Sequence, residues 1–175
     1  EAEGYKGIFV ASGAGLPNFM NIPGENSINI MSSNEYLTRV NLMDAASEDS
    51  DTPICFGKRV AVIGGGNTAM DTARAAKRTT GVEHVYLVYR RTKRYMPADE
   101  EELVMAVEDG VEFMELLSPV KLENGKLICE VMVLGDMDAS GRRGVVKTGE
   151  LKEIPADTVI AAVGERVPTA LYEAN

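Results

Sequence analysis

The stretch "VAVIGGGNTAMDTARAA", residues 60–76, decides the fold of this chain. It begins with Val60–Ile63, an apolar and largely β-branched run that is typical of a parallel strand covered on both faces. After three glycines, the alanine-rich segment from Asn67 to Thr79 predicts a helix with a basic last turn, and Gly81 beyond it permits a left-handed backbone. Val85–Tyr89 predicts a second strand, so strand, glycine turn, helix and strand form a βαβ unit of about 30 residues.

The glycine turn fits the pattern G-x-G-x-x-[GA] through Gly64, Gly66 and Ala69. The first glycine permits a sharp turn, the second lets a pyrophosphate approach the backbone, and the small third residue lets the helix pack on the strand. The amides and the dipole of the helix N-terminus then favour the negative phosphates. Glycine-rich turns are common, but this one joins a strand to a helix, as the motif requires. We therefore predict dinucleotide contacts at Gly64, Gly65, Gly66, Asn67, Thr68 and Ala69.

The second predicted strand ends in "VYRRTKR", which indicates the kind of dinucleotide. NAD sites usually carry Asp or Glu here to accept hydrogen bonds from the ribose hydroxyls. Arg90 and Arg91 instead favour a 2′-phosphate, which a guanidinium binds in bidentate fashion, so we predict NADPH. The alternatives are a solvated basic loop and a nucleic-acid patch. An S-adenosylmethionine-dependent methyltransferase is a third alternative, which Arg90 disfavours because such sites generally have an acid at this point.

Two further helices and one early strand are predicted. Ile8–Ala11 is a short apolar run between glycines and predicts a buried strand. Ser33–Met43 predicts a helix with Ser33 as its N-cap and Glu35 in its first turn. Pro97–Asp109 predicts a helix with four acidic residues near its positive end.

The last part of the chain changes to the two-residue period of strands. Residues 119–154 predict an antiparallel three-stranded layer, whose first turn, Asn124-Gly125, is a strong hairpin signal. Val145–Lys147 is the predicted core of its third strand, and Asp157–Val163 predicts a final buried strand that ends at Gly164. The expected fold is therefore α/β, with a parallel sheet beside an antiparallel layer.

Composition limits the function classes. The chain has 175 residues, 45% of them hydrophobic, enough for the core of one domain. Its net charge of −9 argues against nucleic-acid and anionic-lipid partners. No apolar run approaches the roughly 18 residues that span a bilayer.

Cys55 and Cys129 form no CxxC pair or disulfide framework, which predicts a cytoplasmic location and two inert thiols. His84 is the lone histidine, so we expect no metal site.

Five motifs together resemble the NADPH-binding domain of the glutamate synthase small (β) subunit family. Its relatives include the reductase part of dihydropyrimidine dehydrogenase and bacterial proteins named as selenate reductase subunits. The motifs are "YKGIFVASGAG", "NIPGE", "GKRVAVIGGGNTAMDTARAAKR", "VYRRTKRYMPADEEEL" and "ADTVIAAVGERVPT". The resemblance covers most of the chain and is far more specific than the glycines alone.

The resemblance implies a Rossmann-like, three-layer NAD(P)H-binding domain over residues 1–175, set within a larger FAD-containing oxidoreductase. Residues 1–15 and 157–168 would be crossings to the FAD domain, with Ala11, Ser12 and Gly13 at the first crossing. Ala162, Val163 and Gly164 would lie near the nicotinamide at the second. In the family, NADPH gives a hydride to FAD, and iron–sulfur clusters carry the electrons to a partner subunit.

The chain departs from the family in its flanks. It begins without Met, and it contains neither a second G-x-G-x-x-G motif for FAD nor a cysteine cluster for iron–sulfur ligation. We therefore expect a piece of a longer enzyme that is inactive alone, with a non-catalytic NADP(H)-sensing module as the alternative. Roles of Asp71, Glu101 and Glu102 beyond helix-dipole stabilisation and a solvated face stay open, as does the final electron acceptor.

Overall fold

The computed structural model describes residues 3–7, 9–11, 13–47, 49–54, 57–137, 139 and 141–170. Its helices are α1 (Ser33–Leu42), α2 (Asn67–Lys77) and α3 (Glu100–Glu108). Its strands are β1 (Leu16–Pro17), β2 (Ile30–Ser32), β3 (Arg59–Ile63), β4 (His84–Tyr89), β5 (Glu112–Glu115), β6 (Leu117–Glu123), β7 (Lys126–Met137), β8 (Arg143–Pro155), β9 (Thr158–Ala161) and β10 (Glu165–Arg166).

A five-stranded parallel sheet forms the middle layer, in the order β2-β9-β3-β4-β5. In this sheet Val62 lies between Leu87 of β4 and Ile160 of β9. Because the strands are parallel, their carboxyl ends meet at one edge, which is where the glycine turn follows β3. The predicted βαβ unit is confirmed, with β4 beside β3 and α2 between them in the chain.

The residues of β3 alternate between two cores, as the β-branched run predicts. Val60 and Val62 face the helical core, whereas Ala61 and Ile63 face the core on the other side of the sheet. All four are buried. A strand covered on both faces needs an almost wholly apolar sequence, and this strand has one.

The helices cover one face of the parallel sheet. From α2, Met70, Ala73 and Ala76 reach this core, and Ala106 of α3 joins them. Small alanine side chains let α2 lie close to the sheet. Tyr36 of α1 is fully buried, and its hydroxyl lies 3.4 Å from the Thr79 hydroxyl.

An antiparallel sheet, in the order β6-β7-β8, covers the opposite face. Its inward side chains Leu117, Leu127, Cys129 and Ile154 pack against the parallel sheet. The molecule therefore has three layers: helices, a parallel sheet and an antiparallel sheet. This confirms the predicted fold class.

The hairpin between β6 and β7 turns at Asn124 and Gly125, as predicted. Their φ angles are 52° and 70°, the left-handed values that a tight hairpin turn requires of both central residues. The third strand is confirmed but is longer than its predicted core, because β8 pairs with β7 nearly to its end. The final buried strand is β9, and Gly164 follows it with a φ of 95°.

The predicted early strand is wrong where the structure describes it. Residues 9–11 are not in a strand, and Ile8 lies outside the described residues. Phe9 is 93% exposed and Val10 is 54% exposed. An apolar run forms a buried strand only if a neighbour pairs with it, and no described segment pairs with residues 9–11.

The helix boundaries also differ from the prediction in detail. The N-cap of α1 is Ser32, not Ser33, because the Ser32 hydroxyl accepts a hydrogen bond from the Glu35 amide at 3.1 Å. Helix α3 begins at Glu100 rather than at Pro97, since the preceding residues form a loop over the glycine turn. The short edge strands β2 and β5 were not predicted.

Candidate functional site

The first two glycines of the turn are required by the packing of the protein itself. Gly64 has a φ of 151°, and a Cβ atom there would lie 2.3 Å from the carbonyl oxygen of Ala162. A Cβ atom on Gly65 would lie 2.4 Å from the ring of Tyr89. A side chain at either position would collide with the ends of the neighbouring strands β9 and β4.

Gly66 differs from its two neighbours. A Cβ atom there would have Pro97 Cγ at 4.0 Å as its nearest neighbour, and its φ of −95° is open to any residue. Gly66 is the N-cap of α2, and no side chain caps that helix. The protein's own packing therefore does not explain this glycine, whereas a ligand lying against the backbone would.

Ala69 fills the third small position of the motif. It is 1% exposed and belongs to the helical core, so it serves the close packing of α2 on β3. Its contribution to a ligand site is through the position of the helix and not through direct contact.

A cavity of about 660 Å³ opens at the carboxyl ends of β3, β4 and β9. It lies outside the strand ends of a parallel sheet, where α/β proteins bind ligands. The predicted site residues that line it are Gly64, Gly65, Gly66, Thr68, Arg90, Arg91, Ala162, Val163 and Gly164. Ala11 and Gly13 do not line it, and Ser12 lies outside the described residues.

Asn67 joins the glycine turn to the loop that follows β4. Its side-chain nitrogen donates to Asp99 Oδ2 at 3.1 Å, and its side-chain oxygen accepts from the Asp99 amide at 3.0 Å. The Ala98 amide also donates to the carbonyl of Gly65 at 3.0 Å. Asn67 does not cap α2, because Gly66 holds the N-cap position and the amide group of Asn67 is bound to Asp99.

Arg90 and Arg91 follow β4 directly and line the cavity, as the motif predicts. Arg90 is exposed and makes no hydrogen bond or ion pair with the part of the chain that the structure describes. Arg91 is half-buried, and its Nε donates to the carbonyl of Arg143 at 2.9 Å. A third arginine, Arg142, also lines the cavity, and sequence reasoning did not identify it.

The "NIPGE" motif, residues 21–25, supports one wall of the cavity without lining it. Glu25 accepts hydrogen bonds from the amides of Met20 at 2.5 Å and Asn21 at 2.7 Å. Gly24, with a φ of 87°, lies so close to β6 that a Cβ atom would be 2.1 Å from the Leu122 carbonyl oxygen. This packing holds Phe19 and Met20 at the cavity, so the motif has a structural role.

Asp71, Glu101 and Glu102, whose roles the sequence did not decide, do not line this cavity. Glu101 and Glu102 line a separate acidic depression at the start of α3. Glu102 Oε2 lies 3.5 Å from a guanidinium nitrogen of Arg74. Asp71 is exposed on α2 and does not line the cavity either. Glu101 and Glu102 lie in the first turn of α3, which favours a helix-dipole role, whereas Asp71 lies beyond the first turn of α2, which leaves it the solvated-face role.

An ion pair joins β3 to β9 beneath the site. Asp157 Oδ1 lies 3.0 Å from Arg59 Nη2, and Asp157 Oδ2 accepts from the Arg59 amide at 3.0 Å. These hydrogen bonds lower the pKa of Asp157, with the Arg59 side chain as the largest cause. A lowered pKa means that the pair contributes to stability at neutral pH and that this contribution is lost as the pH falls through that pKa.

The described residues contain no group of three or more His, Cys, Asp and Glu that would bind a metal ion. His84 is exposed and hydrogen-bonded to Glu112 at 2.8 Å. Cys129 is buried, and this burial raises the pKa of its thiol to about 12, which favours the predicted inert role. Cys55 lies outside the described residues. Within the described ranges, no helix is long and apolar enough to cross a membrane.

The fold and the site define a Rossmann-like α/β domain with a ligand-sized cavity at the carboxyl ends of its parallel strands. The chain belongs to the pyridine nucleotide-disulphide oxidoreductase family, whose model matches residues 1–175. This places the chain among redox proteins and overturns the methyltransferase alternative.

Two curated relatives are similar over nearly the whole chain. The Escherichia coli K12 protein named "Putative oxidoreductase YgfK" is 38% identical over 173 residues, which cover 98% of this chain and 16% of that protein. The Cereibacter sphaeroides protein named "Putative glutamate synthase [NADPH] small chain" is 37% identical over 172 residues, covering 93% of this chain and 41% of that protein. The resemblance to the glutamate synthase small-subunit family is confirmed, and the chain spans less than half of either relative.

A solved structure with the same fold is FprA from Mycobacterium tuberculosis in complex with NADPH. It aligns with a TM-score of 0.76 at 22% identity, covering 91% of this chain and 50% of FprA. At this identity the likeness concerns the fold.

Proposed function

We propose that this chain binds NADPH in the cavity at the strand ends. The pyrophosphate lies against Gly66 and the N-terminus of α2, the 2′-phosphate binds Arg90 and Arg91, and the nicotinamide lies toward Ala162, Val163 and Gly164. The observation that carries the proposal is the open space at Gly66. Gly64 and Gly65 are explained by the protein's own packing, whereas the packing does not require a glycine at position 66 and a group close to the backbone would.

The uncapped start of α2 supports the same placement. The first amides of a helix lack intrahelical partners, and together with the helix dipole they favour an anion. No side chain fills this role in α2. A pyrophosphate at Gly66 would accept hydrogen bonds from these amides.

Arg90 supports NADPH over NADH. It lines the cavity at the end of β4, where an NAD site has a carboxylate, and no described residue neutralises it. Charge-assisted hydrogen bonds contribute about 1.5–3 kcal/mol each, so two arginines are enough for a preference of about a hundredfold.

We further propose that the parent protein binds FAD outside the described residues of this chain. Within those residues, a glycine turn joins a strand to a helix at one place, Gly64–Gly66, and the nucleotide site there accounts for it. Exposed Phe9, Val10 and Val163 would face the flavin-bearing part. FAD supplies the acceptor for the hydride of NADPH, and this chain's residues position the donor without a general acid or base.

The family resemblance extends the proposal to iron–sulfur clusters in the parent and a partner subunit that accepts the electrons. Both would be properties of the whole parent enzyme, which would resemble glutamate synthase or act in selenate reduction. A cytoplasmic location is part of the same proposal. An NADP(H)-sensing module would bind the nucleotide equally but would show no NADPH-dependent flavin reduction in the full-length protein.

Substitution of Gly66 by Val tests the nucleotide site. The side chain would occupy the pyrophosphate position, so we expect the affinities for NADPH and NADH each to fall at least about a hundredfold, measured by calorimetry. Gly15→Val is the matched control, because a Cβ atom on Gly15 also meets nothing within 4 Å but lies away from the cavity lining. Unchanged affinity in Gly66→Val, with the fold intact by circular dichroism, would show that the turn is only structural.

A further inference from the structure

One cation of the cavity comes from the opposite layer of the molecule. Arg90 and Arg91 follow β4 of the parallel sheet, whereas Arg142 precedes β8 of the antiparallel sheet. All three line the same cavity. Arg142 therefore adds a residue of the antiparallel layer to the cavity lining that holds the two arginines at the end of β4.

A hydrogen bond between the layers fixes this arrangement. Arg91 Nε donates to the carbonyl of Arg143 at 2.9 Å, which ties the residue next to Arg142 to the end of β4. Arg143 Nε in turn donates to the carbonyl of Gly135 at 2.8 Å, across the hairpin. The backbone beside Arg142 is thus held at the cavity through Arg91.

The chemistry of a phosphate monoester fits three guanidinium groups. It carries up to two negative charges on three acceptor oxygens, and arginine donates to such oxygens in bidentate fashion. Two arginines need not saturate the three oxygens, so acceptor sites remain for another donor. NADH has only a hydroxyl at the same position and gives these cations no anion to bind.

We propose that Arg142 is a third ligand of the 2′-phosphate and therefore a determinant of NADPH specificity, and that Arg91 positions it. This inference rests on the proposed NADPH site. It assigns a binding role to Arg142, the residue that directly precedes β8.

The first test is the substitution Arg142→Ala in the purified protein, with NADPH and NADH titrated separately. We expect the affinity for NADPH to fall about tenfold and the affinity for NADH to stay unchanged, since the lost hydrogen bonds are charge-assisted but exposed. Arg94→Ala is the matched control: this arginine lies in the same basic segment, 6.0 Å from the ring of Tyr95, and does not line the cavity. It should change neither affinity.

The outcomes separate the two proposals. If wild-type protein prefers NADPH and Arg142→Ala keeps the full preference, the role of Arg142 is overturned and the NADPH site stands. A similar loss of both affinities also overturns it, because that loss would not arise at the 2′-phosphate. Equal wild-type affinities for the two nucleotides would overturn both proposals.

A double-mutant cycle tests the positioning role of Arg91. If Arg91 holds the β7–β8 turn, the losses in Arg91→Ala and Arg142→Ala overlap, and the double variant loses less NADPH affinity than the product of the two single losses. Independent, multiplicative losses would overturn the positioning role.

Discussion

Two regions of the described chain, a nucleotide end and a crossing end, differ in character. The nucleotide end, formed by Gly64–Gly66, Arg90 and Arg91, is built on the buried strands of the parallel sheet and presents backbone amides and cations. The crossing end comprises residues 9–11, 13–19 and 163–167, presents apolar side chains, and reaches the cavity only at Phe19, Val163, Gly164 and Glu165. Phe9, Leu16 and Val167 are all exposed there.

The two ends differ in whether the described chain alone supplies the structure that each end needs for its proposed function. At the nucleotide end, the strands, helix and hairpin that support each side chain all belong to the described chain. At the crossing end, the exposed apolar side chains are not buried by any of the described residues. We expect nucleotide affinity and specificity to depend on the first end alone, and electron transfer to need both.

The largest effect on folding is expected at the nucleotide end, from Gly64→Ala. The new Cβ atom would collide with the Ala162 carbonyl, and its left-handed φ adds strain, so the free energy of unfolding should fall by about 3 kcal/mol. Gly15→Ala, at the crossing end, should leave stability nearly unchanged, because its Cβ meets no atom within 4 Å. Urea unfolding measures both, and equal stabilities would contradict the packing argument.

The next effect concerns specificity. Replacing Arg90 and Arg91 together by Ala should erase a preference for NADPH of about a hundredfold and leave NADH binding in place, because only the 2′-phosphate loses partners. Calorimetry of the double variant with both nucleotides is the measurement. If the preference survives, the 2′-phosphate binds elsewhere.

The smallest effect on nucleotide binding is expected at the crossing end. Phe9→Ser should leave NADPH affinity unchanged, because Phe9 is 93% exposed and does not line the cavity. In the full-length protein it should slow flavin reduction by NADPH, measured by stopped-flow absorbance. Ile28→Ser, at a side chain that is 92% exposed outside the crossing end, is the control. A fall in NADPH affinity with Phe9→Ser would mean that the two ends are not separate.

Local patterns predicted the nucleotide end because its elements are consecutive in the chain. The β-branched run, the three glycines and the alanine-rich helix occupy one segment, and each residue's role follows from its immediate neighbours. The Asn-Gly turn was predictable for the same reason, since both residues adopt left-handed angles within one turn.

Long-range contacts account for what the sequence did not predict. Arg142 reaches the cavity because Arg91 bonds to the chain 52 positions later. Asn67 is bound to Asp99, 32 positions away, and is therefore not a cap. Strands β2 and β5 are only three and four residues long and become strands by pairing at the sheet edges. Residues 9–11 have a strand-like composition without a described partner strand.

The most direct test of the account is a calorimetric titration of the wild-type protein with NADPH and with NADH. We expect both nucleotides to bind at a 1:1 ratio and NADPH to bind about a hundredfold more tightly, a difference in affinity that decreases at high salt. Equal affinities, or no binding of either nucleotide, would contradict it.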